Sequence, residues 1–236
     1  MNIYYRARVY VSSLLFGKIG SSRLGYLSSF ITPVDSILDI GCDKGMVFET
    51  IKKPEEVGLI VGVDITKNCS KKYSHVTGDA VELPVKSASF SLVTAFSVIE
   101  HIHENERGLF YKEAKRVMKE KGEILIQQPN RYALVESHTF LPFYGFLPKR
   151  WHQLMYTEKE VYYVSVPSLK EVLRSLRQNG FKVISIETYD APFLPFGRYL
   201  KKTGLFRLFP VGFIIRARKD GALNKQPNKN DFDEAG

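Results

Sequence analysis

Aspartates recur in the first third of this 236-residue chain at the ends of strand-like runs. Asp39 lies in the run Ser36–Ile40, Asp64 follows the run Leu59–Val63, and Asp79 follows a third strand end. A carboxylate at the carboxyl end of a parallel strand can accept hydrogen bonds from ribose hydroxyls or from the exocyclic amine of a base. Each aspartate alone is also ordinary turn chemistry. Their order and spacing together predict a nucleoside site.

The loop after the first strand places glycines where the backbone must come close to a ligand. It reads Gly41-Cys42-Asp43-Lys44-Gly45, whereas dinucleotide sites need Gly-x-Gly-x-x-Gly to seat a pyrophosphate on a helix N-terminus. Carboxylates at Asp39 and Asp43 would repel a phosphate, but they are compatible with a cationic ligand. The loop therefore argues against nicotinamide and flavin dinucleotides.

The elements that must position these residues alternate between strand-like and helix-like patterns. Short, nearly continuous apolar runs are typical of strands buried on both faces of a parallel sheet. Six such runs, together with the strand that ends before Asp79, predict an α/β, Rossmann-like, doubly wound sheet of seven strands, mostly parallel. The six runs are Ser36–Ile40, Leu59–Val63, Phe90–Phe96, Glu123–Gln127, Phe181–Glu187 and Val211–Arg218.

Two helices have recognisable ends. The apolar stripe from Leu109 to Met118 is followed by Gly122, which we expect to cap that helix. Ser168 and Glu171 form a capping-box pattern that begins a second helix, and Gly180 ends it.

Composition limits the class of protein. With 44% hydrophobic and 25% charged residues the chain is globular, and no apolar run reaches the ~18 residues of a spanning helix. Cys42 and Cys69 alone cannot form a disulfide framework, and the first residues do not read as a secretory signal. We therefore expect an intracellular, cytoplasmic chain.

The net charge of +9 is concentrated in three segments. Residues 1–34, 137–157 and 191–219 carry four, two and seven basic side chains and no acidic one, so they sum to +13 and the remainder to −4. The same segments hold 18 of the 30 aromatic residues. If the fold brings them together, they predict a surface for an anionic or aromatic partner. The alternative is that the aromatics fill the core and the basic groups face water.

On these motifs the chain resembles the class I S-adenosylmethionine-dependent methyltransferases, and among them the quinone-biosynthesis and related small-molecule enzymes. The resemblance implies S-adenosyl-L-methionine as cofactor and an antiparallel last strand. One departure is Asp43, which stands where many members have glycine. The resemblance is carried by Ile37 to Gly45, Gly62-Val63-Asp64, Gly78 to Pro84, Ser89 to Val93, Ser97 to His101 and Glu113 to Gly122.

The resemblance also implies a role for each position of the cofactor site. Asp39, Gly41 and Gly45 would shape the methionine end of the pocket, and Asp64 would hold the ribose. Asp79 with Ala80 would read the adenine, and Ser97 would line the pocket after the fourth strand. The full cofactor-binding set is Asp39, Gly41, Cys42, Gly45, Asp64, Ile65, Asp79, Ala80 and Ser97.

A catalytic base is needed only if the acceptor must lose a proton. His101 is the nearest candidate in sequence and His138 the second, while a structural histidine is the alternative for each. In quinone-type relatives a Glu, Glu, His set at this strand end is associated with a divalent metal. Glu100 and His101 match two of those positions, but Ser97 replaces the first glutamate, so we expect no metal.

The long connection after the fifth strand suggests how an acceptor is chosen. We expect a single domain over residues 1–218, with an N-terminal helical cap at 1–34, an aromatic lid at 128–167 and a disordered tail at 219–236. Apolar, aromatic and basic side chains in the lid favour a small or lipophilic acceptor and contact with an anionic membrane surface. RNA is the runner-up partner, and a non-catalytic nucleoside-binding domain is the second alternative.

Overall fold

The computed structural model describes residues 31, 34–45, 51, 56–67, 73–133, 146, 165–189 and 210–220. In these residues seven strands form one sheet, in the order β3-β2-β1-β4-β5-β7-β6. The strands are β1 (Ser36–Ile40), β2 (Leu59–Asp64), β3 (Ser74–Thr77), β4 (Phe90–Phe96), β5 (Met118–Pro129), β6 (Phe181–Tyr189) and β7 (Gly212–Lys219).

The sheet confirms the predicted class and its antiparallel last strand. β3, β2, β1, β4 and β5 pair in parallel, whereas β7 pairs antiparallel with both β5 and β6. The chain reverses its direction of winding at β1, from which β2 lies on one side and β4 on the other. In such sheets ligands bind outside the carboxyl ends of the strands at this switch point.

Two α-helices and one short 3-10 helix are described. The 3-10 helix Ile99–His101 follows β4, α1 spans Arg107–Val117, and α2 spans Leu169–Gln178. The predicted capping box of α2 is present, because the Ser168 side chain accepts from the Glu171 backbone N–H while Glu171 accepts from the Ser168 backbone. Gly180 follows α2 and has a left-handed φ of 77°. This conformation is typical of a glycine that ends a helix, as the sequence predicts.

The prediction that Gly122 caps the first helix is wrong. α1 ends at Val117, and Met118 already has an extended backbone that pairs with Phe90 of β4. The register of the β4–β5 ladder then shifts, and Gly122 lies in this irregular stretch of β5. A Cβ at Gly122 would lie 2.9 Å from the carbonyl oxygen of Lys119, so the glycine is needed by a bulge and not by a helix end.

Apolar side chains cover both faces of the sheet. Alternate residues of β1 face opposite ways, so that Leu38 and Ile40 join one buried cluster while Ile37 joins another. The larger cluster includes Phe110 of α1 and Leu176 of α2. Burial on both faces is why the strands read as nearly continuous apolar runs.

Several predicted segments lie largely or wholly outside the described residues. These are the N-terminal cap at 1–34, most of the lid at 128–167 and the tail at 219–236. β5 continues to Pro129 and α2 begins at Leu169, so only the ends of the lid segment are described. No helix in the described part of the chain has the length and apolar character that crossing a membrane requires.

Candidate active site

A cavity of about 490 Å³ opens at the carboxyl edge of the sheet, beside the switch point. It is formed by the ends of β1, β2 and β4, by the loop after β3 and by the segment that follows β4. Its lining residues are Ile40, Gly41, Asp43, Val63, Asp64, Ile65, Thr66, Gly78, Asp79, Ala80, Val81, Ser97, Val98, His101, Ile102, His103 and Glu106.

The loop after β1 turns sharply beneath this cavity. Gly41 has a φ of 70°, its N–H donates to the carbonyl oxygen of Val63 over 2.8 Å, and a Cβ there would lie 2.5 Å from Cγ2 of Val98. Both the backbone conformation and the close approach therefore require glycine. Asp43 also has a left-handed φ, of 41°, which aspartate tolerates better than most residues. The backbone at this position therefore accommodates an aspartate.

The Asp64 carboxylate joins the loops that follow β1 and β2. Its Oδ2 accepts from the backbone N–H of Asp43 over 2.9 Å, and its Oδ1 accepts from the N–H and the hydroxyl of Thr66 over 2.8 and 2.9 Å. These bonds orient the carboxylate at the cavity wall. Since each carboxylate oxygen has two lone pairs, Oδ2 retains capacity for one more donor, such as a ribose hydroxyl.

Asp39 is buried in the sheet directly behind the loop. The residue is only 1% exposed, its Oδ1 accepts from the Thr94 hydroxyl over 2.6 Å, and its Oδ2 has no hydrogen-bond partner among the described residues. Burial raises the pKa of Asp39 to about 7, the Thr94 hydrogen bond opposes that rise, and the nearby charge of Asp64 adds to it. An unsatisfied buried carboxylate favours a cationic donor group.

The loop after β3 presents Asp79 and Ala80 to the cavity. The Asp79 carboxylate accepts from the backbone N–H of Val81 over 3.1 Å, and its carbonyl oxygen accepts from the N–H of Glu82 over 3.2 Å. The N–H of Gly78 donates to the carbonyl oxygen of Asp64 over 3.0 Å. The carboxylates of Asp64 and Asp79 are thus held at the ends of the adjacent strands β2 and β3.

Ser97 directly follows β4 and has a left-handed backbone conformation with a φ of 56°. Its N–H donates to the backbone carbonyl oxygen of Gln127 over 3.0 Å, and its hydroxyl donates to the side-chain Oε1 of Gln127 over 3.1 Å. The Gln127 amide in turn donates to the Tyr189 hydroxyl over 2.6 Å. Ser97 is therefore fixed at the cavity wall by the neighbouring strand.

His101 lies at the rim of the cavity, together with His103 and Glu106. Glu100, which precedes it, is fully buried. Among the described residues no group of three or more histidine, cysteine, aspartate or glutamate side chains is arranged to hold a metal ion. His138, the second candidate base, lies outside the described residues.

Most of the predicted site residues meet in this one cavity. Three others, Asp39, Cys42 and Gly45, lie behind it. Gly45 packs against Tyr73, since a Cβ on this glycine would lie 1.8 Å from the Tyr73 hydroxyl. Cys42 is buried and packs against Gly62, on which a Cβ would lie 2.7 Å from the Cys42 Sγ. Those that line the cavity are Gly41, Asp64, Ile65, Asp79, Ala80, Ser97 and His101.

Sequence reasoning missed several residues of the site. Thr94 supports Asp39 from the neighbouring strand, and the strand register Asp39↔Thr94 that brings them together is not visible in a sequence. Val98 fills the space left by Gly41, while His103 and Glu106 complete the rim. The segment after β4 carries polar residues at short spacing, a signal that could have identified its last two members.

Of the basic residues in the three positively charged segments, the structure describes three, and all belong to the last segment. Arg216 and Arg218 extend along β7 and form ion pairs with Glu123 of β5 over 3.6 and 2.6 Å. Lys219 pairs with Glu120 over 2.7 Å. These three cations pair with two carboxylates of the adjacent strand. The other basic residues of the three segments lie outside the described residues.

The charge of the described cavity suits a cationic nucleoside. Its lining includes four carboxylates and, among the described residues, no lysine or arginine. Phosphates would be repelled there, whereas a sulfonium or ammonium group would be attracted. The Asp39 Oδ2, for which the described part of the chain offers no hydrogen-bond partner, and the glycine turn at Gly41 fit the same chemistry.

Comparison with known proteins agrees with this geometry. A family model described as a methyltransferase domain matches residues 15–186. An S-adenosylmethionine-dependent methyltransferase structure from Archaeoglobus fulgidus has a TM-score of 0.63 at 18% identity, covering 92% of this chain and all of that one. Norajmaline N-methyltransferase of Rauvolfia serpentina is 32% identical over 103 residues, 39% of this chain and 35% of that protein. An uncharacterized protein of Methanocaldococcus jannaschii is 25% identical over 107 residues, 45% of this chain and 46% of that one.

The chain belongs to the methyltransferase domain family, and its sheet is that of the class I S-adenosylmethionine-dependent methyltransferases. The cofactor of this class is S-adenosyl-L-methionine. The matched segments span less than half the length of the curated relatives, so these relatives do not define the acceptor.

Proposed function

We propose that this protein transfers a methyl group from S-adenosyl-L-methionine to a small or lipophilic acceptor. The observation that carries the proposal is the acidic cavity at the switch point, where Asp64 and Asp79 lie on adjacent strand ends. Asp39 is buried behind them, and its Oδ2 has no hydrogen-bond partner among the described residues. Asp64 would bind the ribose, Asp79 with Ala80 the adenine, and Asp39 the cationic end of the cofactor.

The chain's own contribution to the reaction is to bind and to orient. When bound, S-adenosyl-L-methionine supplies a methyl group activated by its sulfonium. Ser97, fixed by Gln127, and the turn at Gly41 define the wall against which the reacting groups are aligned, and alignment of this kind provides much of the acceleration. His101 at the rim would remove a proton where the acceptor has to lose one.

The acceptor would enter from the side to which the two long connections are attached. One begins after Asn130, whose amide donates to the carbonyl oxygen of Pro210 over 2.8 Å, so the start of this connection adjoins the end of the other. The far end of the first connection reaches Ser165, whose N–H donates to the carbonyl oxygen of Glu100 over 2.7 Å. Ser165 is thereby bonded to the residue that precedes His101 of the cavity lining, and the proposal assigns the acceptor pocket to the residues between these ends.

The sequence of these connections supports a small or lipophilic acceptor. Residues 134–164 and 190–209 are rich in phenylalanine and tyrosine, and pockets for small ligands are predominantly apolar and aromatic. At the root of the first connection the rings of Tyr132 and Phe146 are 5.5 Å apart, and Arg131 lies over the Tyr132 ring. A relative named for N-methylation of norajmaline supports the small-molecule class.

RNA remains the second candidate acceptor, supported by the basic and aromatic residues of the undescribed segments. The two classes are separable by retention. We expect the protein to bind anionic liposomes or to act on extracted small metabolites, with little retention by tRNA across a salt series. A comparison of methylated metabolites in cells with and without the protein identifies the product. Methylation confined to RNA would overturn the proposed acceptor class.

A further inference from the structure

Helix α1 carries a paired glutamate and arginine in its last turns. Arg116 Nε donates to Glu113 Oε1 and Arg116 Nη2 donates to Glu113 Oε2, both over 2.7 Å. The side chains of Arg116 and Glu113 are only 35% and 20% exposed. The Arg116 guanidinium holds the pKa of Glu113 below its usual value, so the pair is ionised at neutral pH. Such bidentate pairs fix geometry as well as adding energy.

The pair's other hydrogen bonds all go to one loop. Glu113 Oε2 accepts from the backbone N–H of Leu83 over 2.9 Å, and Arg116 Nη2 donates to the carbonyl oxygen of the same residue over 2.9 Å. Arg116 Nη1 donates to the carbonyl oxygen of Val85 over 2.9 Å and to the Ser87 hydroxyl over 3.1 Å. One ion pair thus satisfies several backbone groups of residues 83–87.

This loop is continuous with the adenine side of the cavity. Pro84 packs against Gly78 so closely that a Cβ on that glycine would lie 2.4 Å from Pro84 Cδ. Asp79 follows Gly78, and its backbone pairs with Glu82 in an isolated bridge. A shift of residues 83–84 would therefore move Asp79 and Ala80, which line the cavity.

We propose that the Glu113–Arg116 pair positions Asp79 for recognition of the adenine amine. Neither Glu113 nor Arg116 lines the cavity, so both act through residues 78–84 as positioning residues. The inference rests on the proposed function, in which this cavity holds the S-adenosyl group. It adds a determinant of base selectivity that lies outside the cavity.

The test measures selectivity between two ligands in the full-length protein. Calorimetry gives the Kd of S-adenosylhomocysteine and of S-inosylhomocysteine, in which an oxygen replaces the exocyclic amine. In Arg116→Lys and Glu113→Gln we expect the Kd of the adenosyl ligand to rise roughly tenfold, equivalent to ~1.4 kcal/mol, while that of the inosyl ligand changes less than about twofold.

Arg218→Lys is the matched control. Arg218 also donates two hydrogen bonds to one glutamate, Glu123, but it joins β7 to β5 away from the cavity. This variant should keep the wild-type preference for the adenosyl ligand. If Arg116→Lys fails to fold, Glu113→Gln provides the same test, because it keeps the shape of the side chain and removes its charge.

The outcomes separate the inference from the proposed function. If the wild type binds the adenosyl ligand with a preference and both variants retain that preference, the positioning role is wrong and the proposed function stands. An equal loss of affinity for both ligands would mean that the Glu113–Arg116 pair only supports packing, and it would also overturn the inference. If the wild type binds neither ligand, the proposed function and the inference fall together.

Discussion

At the scale of single residues, the site depends on carboxylates with different environments. Asp64 is oriented by three hydrogen bonds at the cavity wall, whereas Asp39 is buried with one oxygen lacking a partner among the described residues. The sequence was sufficient to select both, because an aspartate at a strand end is visible in the chain. It could not distinguish their environments, since burial and the Thr94 contact arise only when β1 and β4 pair.

Asp39 should make cofactor affinity depend on pH. Its pKa of about 7 in the free protein means that the ammonium group of S-adenosylhomocysteine, which lacks the sulfonium of the cofactor, meets a largely ionised carboxylate only above that pH. We expect the Kd for S-adenosylhomocysteine to fall about tenfold from pH 6 to pH 8, following the ionised fraction. Calorimetry at the two pH values should show a flat, weaker response in Asp39→Asn. If the Kd of Asp39→Asn changed with pH as much as that of the wild type, Asp39 would not be the group that causes the pH dependence.

The same carboxyl should oppose folding as pH rises. A pKa raised above the ordinary 3.8 means that the folded state binds the proton more tightly than the unfolded chain. The contribution of Asp39 to stability is therefore full below pH 4 and is lost as pH rises through about 7. Binding of a cationic group should offset part of this loss.

At the scale of elements, local patterns predicted most boundaries well. β1 and β4 begin and end where their apolar runs do, and α2 has the expected cap and terminating glycine. The β5 boundary was missed, because Met118 and the bulge around Gly122 extend the strand into residues with a helical pattern. Pairing with β4 decides that stretch, and no local signal reports it.

The α2 cap should contribute to stability without affecting the site. Ser168→Ala removes the bond from the Glu171 N–H, and we expect the free energy of unfolding to fall by about 1 kcal/mol. Denaturant titration measures the change, and the affinity for S-adenosylhomocysteine should stay at the wild-type value. Ser175→Ala, inside the same helix, is the control and should change stability by less than about 0.5 kcal/mol. An equal decrease in the free energy of unfolding in the two variants would contradict a stabilising role for the cap.

At the scale of the whole molecule, the basic residues of the three positively charged segments fall into two groups. Those on β7 form ion pairs within the sheet, and the others lie outside the described residues. Arg216 and Arg218 share the carboxylate of Glu123, and Lys219 pairs with Glu120, so these three cations form ion pairs with β5. The cavity itself is acidic, as the distribution of charge along the sequence indicated. Composition alone could not assign the β7 cations to ion pairs, because the antiparallel register of β7 against β5 creates them.

The class I sheet, the switch point and the acidic cavity together make binding of the S-adenosyl group the central claim. The most direct test is calorimetric titration of the full-length protein with S-adenosylhomocysteine, alongside Asp64→Asn and the control Asp35→Asn. Asp35 lies at the opposite edge of the sheet, where it contacts Lys119 and Ser91. We expect one-to-one binding to the wild type and to Asp35→Asn, and affinity at least about tenfold weaker in Asp64→Asn. No binding at millimolar ligand, or equal binding by all three proteins, would contradict the account.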